Sequence, residues 1–232
     1  MATTSNKPFR IGVMLEAVQL VDIMGIDILG NLSRSYMDQV KHLDPKIAAL
    51  EEHAVNIEFL YIATTLEPAD VTPGIGLKFV PTVTYDDCPR DLDLVLIGGP
   101  LLSHRPPQAD KFMKEAWTKT RVWMTTCVGS LWLASTGLLD GKKCTTNRGF
   151  LGAAEKVCPG VEWLDQRWVV EEKPYDGADG KGELWTSGAA GAGLDMIANY
   201  CLEKYDKEFV TAMSLEGLDL DPKRCHGQFY AK

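Results

Sequence analysis

The stretch Val122-Trp-Met-Thr-Thr-Cys127-Val-Gly-Ser-Leu-Trp-Leu-Ala134 decides how the rest of the chain is read. Val122 to Thr125 is apolar enough for a strand buried on both faces. From Gly129 the residues are small or apolar, as in a helix packed closely on a sheet. Cys127 falls on the turn between the two. A thiol there lies near the unpaired amides and positive end of the helix, a setting that favours thiolate over thiol. The sequence therefore predicts a cysteine nucleophile elbow.

Working outward, the same alternation recurs. Phe9 to Leu15, Asn56 to Ile62 and Asp93 to Ile97 read as strands, the last running into Gly98-Gly99-Pro100. Asp22 is placed to cap a helix whose apolar face carries Ile23, Ile26, Leu29 and Leu32. Pro106-Pro107 opens a helix reaching about Thr120, with Phe112, Met113, Ala116 and Trp117 on its apolar face. The helix after Cys127 should end near Gly137. Pro68 and Pro73-Gly74 mark turns before a hairpin strand at Leu77 to Val80. Lys41 to His53 reads as a polar surface excursion. Further on come a short helix at Gly149 to Lys156, strands near Val161, Trp168 and Glu183, and a long helix from Ser187 to about Lys204. Alternating strands and helices without a linker predict one α/β domain over residues 1–232 with a mostly parallel sheet. Its core spans about 9–204, with a C-terminal extension at 205–232.

Composition narrows the partners. The 232 residues carry 24 Lys and Arg against 32 Asp and Glu, a net charge of −8, and the pI is about 5.1. No dense basic cluster is present, so nucleic acid and anionic membrane surfaces are not expected partners. No run approaches the roughly 18 to 20 apolar residues that span a bilayer. The start of the chain lacks the apolar core of a signal peptide. Six cysteines (Cys88, Cys127, Cys144, Cys158, Cys201 and Cys225) are scattered without a Cys-x-x-Cys pair. That spacing argues against a structural zinc site and a secreted disulfide framework, and for a reducing, cytoplasmic setting.

In such a sheet, ligands bind at the carboxyl ends of the strands. Asp22, Gly98-Gly99 and Cys127 all fall there, and adjacent strands would bring them into one pocket. The backbone N–H groups of Gly99 and Val128 would form an anion-stabilising pair. Asp22 beside a thiolate would be pushed towards its protonated form and serve as general acid. Glu16 and Asp27 are competing carboxylates, Glu16 lying nearer the end of the strand.

The chain resembles the ThiJ/PfpI superfamily, whose members include isonitrile hydratases, glyoxalase III-type enzymes and deglycases. The resemblance runs from Arg10 to about Lys204. It is carried by Ile11-Gly-Val-Met-Leu15, Val21-Asp22-Ile-Met-Gly25, Asp93-Leu-Val-Leu-Ile-Gly-Gly99 and Thr126-Cys127-Val-Gly129. Two further segments join these: Thr136-Gly-Leu-Leu-Asp-Gly-Lys-Lys-Cys-Thr-Thr146 and Thr186-Ser-Gly-Ala-Ala-Gly-Ala-Gly-Leu-Asp195. It implies a flavodoxin-like three-layer sandwich, usually a homodimer, with a reactive elbow cysteine and an acid from the loop after the first strand. Asp at 22, followed closely by Gly25, is more similar to the isonitrile hydratase branch. There the cysteine attacks the isonitrile carbon, the Asp assists proton transfer, and water releases an N-substituted formamide.

Two positions depart from the family pattern. Asn147 follows the Thr-Thr pair where the family often has His, and Asn cannot act as a base. Val128 follows the cysteine where the hydratases frequently carry Thr. The resulting expectation is a cofactor-free, metal-free hydratase or hydrolase acting on a small electrophilic carbon. Cys127 and Asp22 would carry the chemistry, Gly99 and Val128 would bind the anion, and Gly98, Pro100 and Asn147 would line the substrate pocket. The alternatives are glyoxalase or deglycase action on 2-oxoaldehydes, and a redox sensor that works by oxidation of Cys127.

Overall fold

The computed structural model describes residues 7–72 and 74–221. Pro73 of the expected turn, Cys225 and the end of the C-terminal extension lie outside them. Eleven strands are formed: β1 (Phe9–Met14), β2 (Ile57–Ala63), β3 (Ala69–Asp70), β4 (Lys78–Phe79), β5 (Val83–Thr84), β6 (Leu94–Ile97), β7 (Val122–Thr125), β8 (Lys143–Cys144), β9 (Glu162–Trp163), β10 (Trp168–Pro174) and β11 (Lys181–Ser187). The helices are α1 (Gly25–Gly30), α2 (Arg34–Val40), α3 (Pro45–Ala48), α4 (Pro107–Ala116), α5 (Gly129–Ala134), α6 (Leu151–Val157), α7 (Ala190–Lys204) and α8 (Lys207–Val210).

Seven strands make the central sheet, in the order β10-β11-β7-β6-β1-β2-β5. Every pairing is parallel except that of edge strand β10 with β11. Successive strand residues point to opposite faces. Leu94 and Leu96 accordingly pack with Ile11, Val13 and helices α1 and α7. Val95 and Ile97 pack on the other face with Phe112 and Met113 of α4 and Trp132 of α5. Covering both faces is what allows these strands to be apolar throughout. The result is the flavodoxin-like sandwich.

Several expectations need correction. Asp22 does not cap a helix: it sits inside a 3-10 turn, Leu20–Ile23, and α1 begins only at Gly25 without a side-chain cap. Gly25 meets α7 closely, for a β-carbon there would collide with the Ile197 side chain. The long C-terminal helix starts at Ala190 because Ser187 completes β11. Helix α5 stops at Ala134, three residues before Gly137. Helix α4 stops at Ala116, short of Thr120. Helix α2, capped by Ser33 on the Tyr36 N–H, and the two-residue strand β5 carry too little pattern to be read from sequence. The polar excursion after Lys41 holds α3 and a 3-10 turn, Glu51–His53.

Candidate active site

Strands β1, β6 and β7 are neighbours, so the segments leaving their carboxyl ends converge. The loop after β1 is zipped to the one after β6: Gln19 N–H donates to the Gly99 carbonyl at 3.1 Å, and Leu101 N–H to the Ala17 carbonyl at 3.0 Å. Thr126 joins the third segment to them. Its amide donates to the Ile97 carbonyl at 3.0 Å, and its hydroxyl to the Asp22 carbonyl at 2.7 Å.

Cys127 adopts a positive φ of 54°, a region costly for any residue with a β-carbon. Ser130 and Thr146 hold it there, each donating a hydroxyl to the Cys127 carbonyl at 3.1 Å. Glycine at 129 is required beneath the elbow, since a β-carbon would meet the Ile97 and Gly98 carbonyl oxygens at 2.6 and 2.7 Å.

Asp22 is buried beside this thiol. Its Oδ2 accepts the Gly99 N–H at 3.1 Å, and its carboxyl interacts with the Cys127 thiol. Burial pushes the Asp22 carboxyl up to about 6, against the opposing pull of the Gly99 amide and the thiol. The dominant cause is thus desolvation rather than a neighbouring thiolate. The thiol is also pushed up, first by burial and then by the charge of Asp22. The amides of Asn147 and Val128 oppose this without reversing it. The expectation of a thiolate set by the helix end is therefore corrected: a six-residue helix does not outweigh burial and an adjacent carboxylate. Both effects favour the protonated thiol over the thiolate.

Of the two amides expected to form an anion pair, that of Gly99 is already engaged. The Gly99 N–H faces Asp22 and the Val128 N–H faces the sulfur. Asn147 Nδ2 lies 3.3 Å from Cys127 Sγ and donates to it. Gly98 does not line the cavity; a β-carbon there would strike Ile23 Cγ2 at 2.8 Å, so its smallness serves packing beneath the loop. Glu16 points elsewhere. Its Oε2 accepts from the Thr64 amide and hydroxyl at 3.0 and 2.7 Å and lies 3.5 Å from His104 Nε2. Burial would raise this carboxyl, but the bonds from His104 and Thr64 leave it lowered.

A cavity of about 450 Å³ opens over the sulfur. Cys127, Val128, Gly99, Pro100 and Asn147 form its floor and wall, with Ala17, Gln19, Thr72, Leu101, Leu102 and Phe150 around them. None of these residues is charged. Leu101, Leu102 and Phe150 remain 50 %, 53 % and 37 % exposed. Thr72 and Phe150 gave no signal in the sequence, because a hydroxyl in a turn and an aromatic in a short helix look ordinary. Among the described residues, no group of three or more His, Cys, Asp or Glu is arranged to hold a metal. Burial lifts the Cys88 and Cys144 thiols to about 12, so neither shares the setting of Cys127.

A parallel sandwich carrying a cysteine elbow beside a buried acid defines a recognisable class of α/β proteins. Residues 36–200 match the profile of the DJ-1/PfpI family. The chain belongs to that family. It is 30% identical over 138 residues to an isonitrile hydratase of Pseudomonas putida, a match covering 57% of this chain and 54% of that relative. The match thus spans about half the length of that curated protein. Among solved structures, a ThiJ/PfpI family protein of Pseudomonas syringae superposes with a TM-score of 0.69 at 22% identity, covering 96% of this chain and 80% of the other. An AraC family transcriptional regulator of Pseudomonas putida gives 0.65 at 14% identity, covering 91% and 99%. Schizosaccharomyces pombe DJ-1 gives 0.62 at 16% identity, covering 91% and 99%. At these identities the structures share the fold. Among the described residues no helix is long and apolar enough to cross a membrane.

Proposed function

We propose that this protein is a cofactor-free, cysteine-dependent hydratase of small neutral electrophiles, with isonitriles as the substrate class. The observation that carries the reading is Cys127 on the floor of a cavity lined by uncharged residues, with the carboxyl of Asp22 buried next to it. The relationship to an isonitrile hydratase supports the choice of electrophile.

The chemistry follows from the pair. Asp22, near neutrality in its proton affinity, takes the proton from sulfur as the thiolate attacks the terminal carbon of R–N≡C. The same proton then passes from Asp22 to that carbon, leaving the thioimidate R–N=CH–S–Cys127 and an ionised Asp22. Water adds at this carbon while Asp22 accepts one of its protons. Collapse expels the thiolate, and proton return gives R–NH–CHO and the free thiol. One water is consumed and no electrons are exchanged. Asn147 supplies no base, which separates this site from a Cys-His arrangement for 2-oxoaldehydes. An apolar R group fits the Leu101, Leu102 and Phe150 rim.

The protein is proposed to act in the cytoplasm as a homodimer, in keeping with its family. The test offers an alkyl isonitrile and methylglyoxal to wild type and Cys127→Ala, following formamide and lactate by proton NMR. Formamide that disappears with Cys127 supports the reading; lactate without formamide, or no turnover dependent on Cys127, overturns it.

A further inference from the structure

Asn147 stands at the sulfur, and its geometry fixes what it does there. Its Oδ1 accepts the Gly149 N–H at 3.0 Å, capping the 3-10 turn Arg148–Phe150. That bond decides the orientation of the amide, because the opposite assignment would set two donors face to face. Nδ2 is then aimed at Cys127 Sγ, 3.3 Å away.

The segment bearing Asn147 is held from several sides. Thr145 N–H donates to Thr186 Oγ1 at 2.9 Å, and Thr145 Oγ1 to the Gln166 carbonyl at 3.1 Å. Thr146 Oγ1 donates to the Cys127 carbonyl at 3.1 Å. Consecutive residues thus grip Cys127 at two points: Thr146 at the carbonyl, Asn147 at the sulfur. Such a preset donor needs no reorganisation when charge appears on the atom it faces.

We propose that Asn147 is a positioning residue that stabilises the thiolate of Cys127 at the moment its proton passes to Asp22. The amide can neither give up nor take a proton in this exchange: the S–H bond breaks, the O–H bond forms on Asp22, and the Nδ2–H···S contact strengthens as sulfur becomes negative. It is the same donor that receives the thiolate when product leaves. The titratable group facing the sulfur is Asp22, and the other donor is the Val128 amide. The remaining residues around the cavity carry no titratable side chain. The role rests on Cys127 being the reactive group of the proposed hydratase, but it concerns the thiol itself and can be read without any isonitrile.

The test measures the rate of iodoacetamide alkylation of Cys127 against pH in wild type, Asn147→Ser and Asn147→Asp. Serine and aspartate both cap as well as asparagine does, so the turn after residue 147 is kept. Serine is neutral and too short to reach the sulfur. A hydrogen bond to a charged atom is worth about one pKa unit or more, so Asn147→Ser should alkylate about tenfold more slowly at neutral pH, with its midpoint about one unit higher. Asn147→Asp adds a negative charge and should move the midpoint at least as far. A midpoint in Asn147→Ser equal to that of wild type overturns the proposal and leaves Asn147 a helix cap alone, whatever the added charge does in Asn147→Asp. Failure of isonitrile turnover with these shifts present would count against the substrate, not against Asn147.

Discussion

Gly99 donates its amide to Asp22 Oδ2 across 3.1 Å, joining residues 77 positions apart. This bond holds the carboxyl against the elbow. The second oxygen, Oδ1, is buried and has no hydrogen-bond partner among the described residues, so the ionised form is under-solvated. That accounts for an acid poised near neutrality.

The cost of that poise should be visible in stability. The Asp22 carboxyl rises from 3.8 to about 6 on folding, so the folded chain holds this proton more tightly than the unfolded chain. Its contribution is fully present below about pH 4 and is lost as pH rises to 6. Above pH 6 the deficit is about 3 kcal/mol. Asp22→Asn removes the ionisation and can still accept from Gly99. It should be more stable than wild type at pH 7.5, with the gain shrinking towards pH 4, while turnover is lost. Denaturant titrations at the two pH values measure this; equal stabilities at pH 7.5 would remove the strained-carboxylate account.

A β-carbon at position 99 would lie 2.5 Å from Asp22 Oδ2 and 3.1 Å from Cys127 Cβ. The first is too close to be tolerated, so the Asp22 carboxyl must shift from its place beside Gly99. Gly99→Ala is expected to cost about 1–3 kcal/mol and to lower kcat about a hundredfold through misplacement. Thermal melts and steady-state kinetics separate the two effects.

The elbow was legible because strand, turn and small-residue helix occur within one short stretch and need no partner to be seen. The acid at 22 was legible through its place after the first strand. What escaped is long-range. The engagement of the Gly99 amide depends on how two loops zip together, and the contact of Asn147 with sulfur on a segment 20 residues further on. The sign of the thiol shift escapes the sequence for the same reason. A helix end shows in sequence, whereas the burial that outweighs it is created by the assembled fold.

Glu16 sits nearer the end of β1 than Asp22 but is spent on Thr64 and His104. Glu16→Gln keeps an acceptor for Thr64 and should retain kcat/KM, at a stability cost of about 1 kcal/mol. A collapse of turnover with the fold intact would transfer the acid role from Asp22 to Glu16.

If the proposed substrate occupies this cavity, its rim should set the choice of substituent. Phe150→Ala or Leu102→Ala should raise KM for a bulky isonitrile about tenfold, the equivalent of some 1.5 kcal/mol of apolar contact. A methyl-sized substrate should respond little. Leu102→Arg introduces the cation the cavity lacks and should improve the relative kcat/KM for a carboxylate-bearing isonitrile. Unchanged selectivity in all three would place the substrate elsewhere.

The elbow's backbone can be tested apart from its chemistry. Ordinarily, Gly in place of Ala costs about 0.5–1 kcal/mol through chain entropy. At φ 54° a β-carbon carries its own penalty of about 1–2 kcal/mol, which glycine escapes. Cys127→Ala and Cys127→Gly both delete the sulfur and its bonds to Asp22 and Asn147, so those losses cancel between them. What remains is the conformation that Ser130 and Thr146 impose through the Cys127 carbonyl. Cys127→Gly should therefore match or exceed Cys127→Ala in unfolding free energy, reversing the usual order. Removing Thr146 Oγ1 by Thr146→Val should narrow the difference, because the elbow is then freer to relax. If the alanine variant were the more stable by the ordinary margin, the thiol would owe its placement to side-chain contacts rather than to a strained turn.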